Sequence, residues 1–195
     1  MARAFFHMLR YFAGLDTAQT QTTVAERECI ARYARGKHRV VEIGVFEGVT
    51  TAVIASALDA EAVLYGIDPF VVGRLGICWG KPIAKRQVSR QKPVCIVEFI
   101  EQYSPVACKQ LEGTFDFIFI DGDHSWNGIV QDWADWSSRV SVGGIIALHD
   151  TSVPAHNQDV AQLGSHKYFV EHIQHDNRFR LMETVDSLNV LERHL

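Results

Sequence analysis

Disulfide frameworks, membrane spans, repeats and linkers are all missing from this 195-residue chain. Its four cysteines, Cys29, Cys78, Cys95 and Cys108, lie 49, 17 and 13 residues apart. That spacing fits neither a zinc site nor a disulfide scaffold, so reduced thiols in a cytoplasmic protein are expected. Proline is scarce, at five residues, and no low-complexity stretch interrupts the chain. A single domain over residues 1–195 follows, large enough for a sizeable core. A large excess of charge of one sign is also missing: 19 Lys and Arg against 23 Asp and Glu leave a net charge of −4, which argues against general nucleic-acid binding. The most apolar terminal stretch, Ala4–Phe12, is broken by His7 and Arg10 and is too short to span a bilayer. Residues 1–21 are expected to form a helical extension. Phe5, Phe6, Leu9, Tyr11 and Phe12 would pack there on their own subunit or at a homodimer contact, with a surface-membrane anchor as the weaker alternative.

What is present is an alternation of strand and helix patterns. Thr22 or Thr23 is placed to cap a helix carrying Ala25, Ile30, Ala31 and Tyr33 on one face, and Glu26 completes a capping box begun by Thr23. Strands are predicted at Arg39–Ile43, Ala62–Ile67, Val94–Ile100, Phe115–Ile120 and Ile145–Leu148. Helices are predicted at Thr50–Leu58, Pro105–Gln110, Gly128–Ser137 and around Lys167–Gln174. Arg178–Thr184 and Leu188–Arg193 read as a hairpin turning at Asp186-Ser187. The pattern predicts an α/β, Rossmann-like, doubly wound sheet, mostly parallel and seven-stranded, with a C-terminal antiparallel hairpin at one edge.

Two strand ends carry the chemistry. The first runs Glu42-x-Gly44-x-Phe46-x-Gly48, followed by Thr50 near a helix N-terminus. Gly44 lets backbone approach a ligand, and Gly48 permits the tight entry into the helix. Asp68, at the end of the next strand, suits the two hydroxyls of a ribose. A pyrophosphate cradle would want a second glycine where Phe46 stands. Glu42 would repel phosphate but suits a cationic amino group. Together these features favour S-adenosylmethionine over a dinucleotide, and an NAD-dependent oxidoreductase becomes a distant alternative.

The second strand end is Asp121-Gly122-Asp123-His124. His149 and Asp150 end the following strand, which a doubly wound sheet brings alongside. Asp121, His149 and Asp150 form a reasonable set for a divalent cation: oxygen ligands suit Mg²⁺, and an imidazole tilts the choice toward Mn²⁺, Fe²⁺ or Zn²⁺. Such an ion would favour the deprotonated form of a substrate hydroxyl. His124 could take the proton, since imidazole trades protons near neutral pH. The plainer readings are that Asp123 caps the next helix, that Asp121 holds a turn or the cofactor's surroundings, and that His149 is structural or is itself a metal-free base. Trp126 could wall a substrate pocket but reads more readily as core, as do Trp133 and Trp136.

Four segments in this order resemble class I S-adenosylmethionine-dependent methyltransferases. They are the glycine turn, Tyr65-Gly66-Ile67-Asp68-Pro69-Phe70, Ile120-Asp121-Gly122-Asp123-His124-Ser125-Trp126, and Gly143-Gly144-Ile145-Ile146-Ala147-Leu148-His149-Asp150-Thr151. More narrowly they resemble a bacterial group with an Ile-Asp-Gly-Asp-His-Ser-Tyr pattern that includes antibiotic and sugar O-methyltransferases. The resemblance implies that Glu42, Gly44 and Gly48 hold the methionine end, that Asp68 holds the ribose, and that Ser104 lies near the adenine. The family often has an acid before that serine, where this chain has Tyr103. Metal-dependent catechol-type relatives place a metal aspartate at Asp121, a lysine at His124 and an Asp-Asn pair at His149-Asp150, so this chain departs at three positions.

From Pro69 to Val97 there is no acid but six basic residues: Arg74, Lys81, Lys85, Arg86, Arg90 and Lys92. Residues 71–93 are therefore a candidate lid that would attract an anionic substrate, or an ordinary solvated helix face. Trp79-Gly80 could add an aromatic wall and a hinge. The expectation is an O-methyltransferase acting on a small hydroxylated molecule. A metal-free methyltransferase and a non-catalytic cofactor-binding protein are the alternatives.

Overall fold

The computed structural model describes residues 2–72 and 76–195, so Arg74 of the basic segment lies outside the described residues. In chain order the elements are α1 (Ala2–Phe12), α2 (Val24–Ala34), β1 (Arg39–Ile43), α3 (Val49–Ala57), β2 (Val63–Ile67), α4 (Gly80–Arg90) and β3 (Ile96–Ile100). These are followed by α5 (Ser104–Gln110), β4 (Phe115–Ile120), α6 (Trp126–Trp136), β5 (Val140–Leu148), α7 (Gly164–Glu171), β6 (Phe179–Val185) and β7 (Leu188–Arg193). The strands form one seven-stranded sheet in the order β3-β2-β1-β4-β5-β7-β6. The first five are parallel, and β7 is antiparallel to both β5 and β6. The predicted doubly wound, mostly parallel sheet with a terminal hairpin is the observed one.

Alternating side chains divide the core between the two faces, as the period of two in a strand requires. Val41, Ile43, Ile118, Ile120, Ile146 and Leu148 pack under α5, α6 and α7, together with Trp133 and Trp136. Val40, Leu64, Phe117, Phe119, Ala147 and Val190 pack under α2 and α3. Each fully buried large aliphatic or aromatic side chain contributes about 1.5–3 kcal/mol, so this double layer holds the strand ends in place. Trp133 and Trp136 are thus core residues. Trp126 stays partly exposed and meets Tyr168 and His172 edge-on.

Several boundaries differ from the sequence expectation. Strand β5 starts at Val140 rather than Ile145, because Gly143-Gly144 is taken into the strand at an irregularity opposite Phe115–Phe117. The buried face of α2 is Glu26, Cys29, Ile30 and Ala34, while Ala25 is exposed. The inward stripe therefore begins on an acid, which apolar periodicity could not register. All four cysteines are free thiols. No helix among the described residues is long and apolar enough to cross a membrane.

Helix α1 packs against α4: Tyr11 donates to Gln87 at 2.9 Å, and Phe5 meets Trp79 edge-on at 5.0 Å. Tyr11 is buried in its own chain, whereas Phe6, Leu9 and Phe12 remain exposed. The basic side chains of α4 are occupied: Lys81 pairs with Glu101 at 2.6 Å, Lys85 lies 3.8 Å from the same acid, and Arg86 and Arg90 sit over Phe12 and Tyr11.

Gly48 precedes α3 with φ +74°, and a Cβ there would stand 2.8 Å from the Ala84 Cα of α4. Gly143 has a similar φ of +78° but open space beyond it. Gly48→Ala should therefore lower stability by about 2–5 kcal/mol, and Gly143→Ala by about 1–2 kcal/mol, as measured by urea unfolding. Equal losses would show that α4 yields without cost.

Candidate active site

The strand order reverses between β1 and β4, and open α/β sheets bind ligands at such a switch point. A cavity of about 530 Å³ lies there, with Gly44, Phe46, Asp68, Ser104, Asp121 and His124 in its wall. That volume is in the range of a small-molecule site. Thr50 also lines it, as do Gln19, Thr20 and Gln21 of the segment between α1 and α2. The N-terminal extension therefore helps to close the cavity.

The glycine turn is shaped by protein contacts as much as by any ligand. A Cβ on Gly44, whose φ is +90°, would overlap the Asp121 carbonyl. Asp68 staples the turn, with Oδ2 accepting from the Val45 and Phe46 amides at 3.0 Å each and Oδ1 from the Phe70 amide at 2.7 Å. Consecutive amides captured by one oxygen form a nest, here filled by a carboxylate. Phe46 is left at φ +53° and half-exposed at the cavity mouth. Non-glycine residues in this region carry strain that surrounding contacts must hold. With three donors already bound, Asp68 has room for one ribose hydroxyl without rearrangement, not both.

Two expected cofactor residues are not in the wall. Glu42 is fully buried on the α3 side of the sheet, and neither carboxylate oxygen has a hydrogen-bond partner. Burial raises its pKa well above the usual carboxylate range. Gly48 faces α4. Strand pleating explains Glu42: with Val41 and Ile43 facing α5 and α6, its side chain must point to the opposite face.

The chemical groups converge at the far rim. His149 Nδ1 lies 3.0 Å from Asp121 Oδ1 and 3.7 Å from Asp150 Oδ1. His124 Nε2 lies 3.5 Å from Asp121 and 3.6 Å from Asp150. One ligand atom each from Asp121, His124 and His149 falls within 4.8 Å of the others. Asp150 reaches this cluster with φ +54°, a second strained backbone position beside the cavity. Asp123, in contrast, accepts from the Ser125 amide and hydroxyl, while Ser125 itself caps α6.

Glu26 orients His149. Its carboxylate accepts from His149 Nε2 at 3.3 Å, the Thr23 amide at 2.7 Å, the Ser187 amide at 2.8 Å and the Ser187 hydroxyl at 2.7 Å. Burial alone would raise its pKa, but the hydrogen bonds from His149, the Ser187 hydroxyl and the Thr23 amide bring it down to about 2. Burial would lower that of His149, yet Asp121 and Glu26 lift it to about 10. With Nε2 turned to Glu26, Nδ1 faces the cluster. It is buried and lacks a hydrogen-bond partner, although an Asp121 oxygen lies 3.0 Å away. An orphaned, buried imidazole nitrogen beside two carboxylates fits a metal ion, with Glu26 fixing the tautomer behind it.

A further acid, Asp132 on α6, also lines the cavity; no motif drew attention to it. Burial, with Asp135 and Asp123 adding repulsion, raises its carboxyl to about 6 against the Ser104 hydrogen bond. Because this exceeds the ordinary 3.8, the folded state holds the proton more tightly. The resulting stability is present below ~pH 4 and is lost as pH rises through ~6. Relative to Asp132→Asn, the wild type should lose about 2–3 kcal/mol between pH 4 and 8, by urea unfolding at each pH. A pH-independent difference would show that Asp132 does not titrate in that window.

Residues 41–151, more than half the chain, match the family described as Methyltransferase domain. An uncharacterized protein of Acanthamoeba polyphaga mimivirus is 28% identical over 142 residues, and the match covers 66% of this chain but 62% of that protein. The O-methyltransferase TomG from Streptomyces achromogenes, involved in tomaymycin synthesis and solved in complex with SAM, superposes with a TM-score of 0.66 at 14% identity. That match covers 98% of this chain and 90% of the other. The O-methyltransferase from Bacillus cereus in complex with SAH gives 0.66 at 18% identity, covering 98% and 91%. The two structures share the fold described above. The family match runs from β1 through the residue after Asp150 and takes in the glycine turn, Asp68, Asp121 and His149; the chain belongs to the methyltransferase-domain family.

Proposed function

We propose that this chain is an S-adenosylmethionine-dependent O-methyltransferase acting on a hydroxyl of a small molecule with the help of a divalent cation. The observation that carries this reading is the convergence of Asp121, His124, His149 and Asp150 at the rim of a cavity at the β1/β4 switch point. Family membership and the cofactor-bound O-methyltransferases with the same fold support it. The basic run of α4 gives no support to an anionic acceptor, because its described side chains line neither this cavity nor the neighbouring one.

Asp121, Asp150 and Nδ1 of His149 would hold the cation. When bound, it supplies Lewis acidity that favours the deprotonated acceptor oxygen. Glu26 keeps the His149 ring in register, and His124, between Asp121 and Asp150, takes the hydroxyl proton. The glycine turn, Asp68 and the cavity wall orient the methyl donor so that the acceptor oxygen approaches in line, which is where positioning lowers the barrier. A metal-free route has one observation in its favour: the raised pKa of His149 permits an imidazolium–Asp121 pair there, leaving His124 as base.

Calorimetry should show S-adenosylhomocysteine binding, and its absence would remove the cofactor reading. Methyl transfer to a panel of hydroxylated acceptors should stop with EDTA and return with Mn²⁺ or Mg²⁺; activity that resists EDTA selects the metal-free route. Asp121→Asn should lose about 100-fold or more of kcat while cofactor affinity stays within a few-fold. Glu26→Gln should weaken Mn²⁺ binding, followed by electron paramagnetic resonance, by about 10–100-fold. His124→Asn should lower kcat by about 10²–10⁴-fold with Mn²⁺ affinity unchanged, and a loss of affinity would make His124 a ligand instead.

A further inference from the structure

Asp132 is unused by the chemistry above, yet it is built into the cavity. It is 95% buried and sits among the lining residues. Its Oδ1 accepts the Ser104 hydroxyl at 2.5 Å, and the Ser104 oxygen accepts Trp136 Nε1–H at 2.8 Å. The hydroxyl's single proton is therefore committed to Asp132, and both partners are locked in place by a core tryptophan. Among the described residues Oδ2 has no donor, and it lies beside Gly122, where a Cβ would stand 3.3 Å away. No salt bridge reaches Asp132 from any described Lys, Arg or His. A buried acceptor with no protein donor is costly unless a ligand supplies one.

The surroundings say what kind of donor fits. Ile67, Pro69, Tyr103 and Pro105 give this part of the cavity apolar walls suited to a flat ring. Asp68 at the β2 end is placed for a ribose, and the reacting groups lie at the β4 and β5 ends. A nucleoside held at Asp68 with its reactive tail toward Asp121 therefore has its base in the slot by Ser104. The edge of that base then meets Oδ2, which can only accept.

Resting on the S-adenosylmethionine reading, we propose that Asp132 is the specificity residue for the cofactor's base, its Oδ2 accepting from the exocyclic 6-amino group of adenine. A 6-oxo purine would present an acceptor to an acceptor and be rejected. The residue that tells adenine from hypoxanthine thus comes from α6, not from the position before Ser104, which is tyrosine here.

The test compares S-adenosylhomocysteine with S-inosylhomocysteine by calorimetry. Wild type should prefer the adenosyl compound by about 10–100-fold, as expected for a hydrogen bond to a charged acceptor. Asp132→Asn should bring the two within a few-fold or reverse the order, because its amide can donate to a 6-oxo group. The ratio is read from folded protein, checked by near-ultraviolet circular dichroism. An unchanged ratio in the variant would overturn the assignment, and so would a wild type that binds both compounds equally, whether or not the variant folds. A wild type that binds neither would instead remove the cofactor reading on which the assignment rests.

Discussion

The seam between the ends of β1 and β4 is the constraint on which the site depends. The Asp121 amide donates to the Ile43 carbonyl at 2.8 Å, and the Gly44 amide donates to the Ile67 carbonyl at 2.9 Å. The glycine turn leaves β1 with the Asp121 carbonyl pressed where a side chain on Gly44 would be. One close backbone approach thus sets both the floor of the cavity and the position of Asp121. Any residue with a Cβ at Gly44 would push the two strand ends apart and spoil both.

Around that seam the protein handles several carboxylates in different ways, and three of them, Glu26, Glu42 and Asp132, are deeply buried. Glu26 has four donors and is held ionised, with a pKa of about 2. Glu42 is equally buried with none, so its pKa rises and the neutral form is favoured. Asp68 binds three backbone amides. Asp121 and Asp150 face two imidazoles across distances that leave room for a shared charge. Asp132 keeps one oxygen for the cavity. Burial alone does not decide the charge of an acid; the donors that folding delivers to it do.

The apolar strands, the glycine-bearing turn and the order of the four motifs made the sheet legible in advance, because period and punctuation are local properties. The capping box of Thr23 and Glu26 was legible too, and it formed. That same Glu26 carries a second role which no local pattern contains: its partners His149 and Ser187 are 123 and 161 residues away. Glu42 stands outside the cavity wall for the converse reason, since strand parity turns its side chain to the other face. Similarly, the basic run reads as a lid in one dimension, but α4 directs its described cations to Glu101 and to the aromatic rings of α1.

The sequence by itself determined which segments become strands, that they form a doubly wound sheet, and that Asp121, His149 and Asp150 end neighbouring strands. These follow from side-chain periodicity and connection rules, which need no knowledge of the partner. Only the tertiary structure decided that Glu26 backs His149 and that Asp132 faces the cavity. Each of those depends on elements far apart in sequence docking at angstrom precision, and hydrogen bonds reward only that precision.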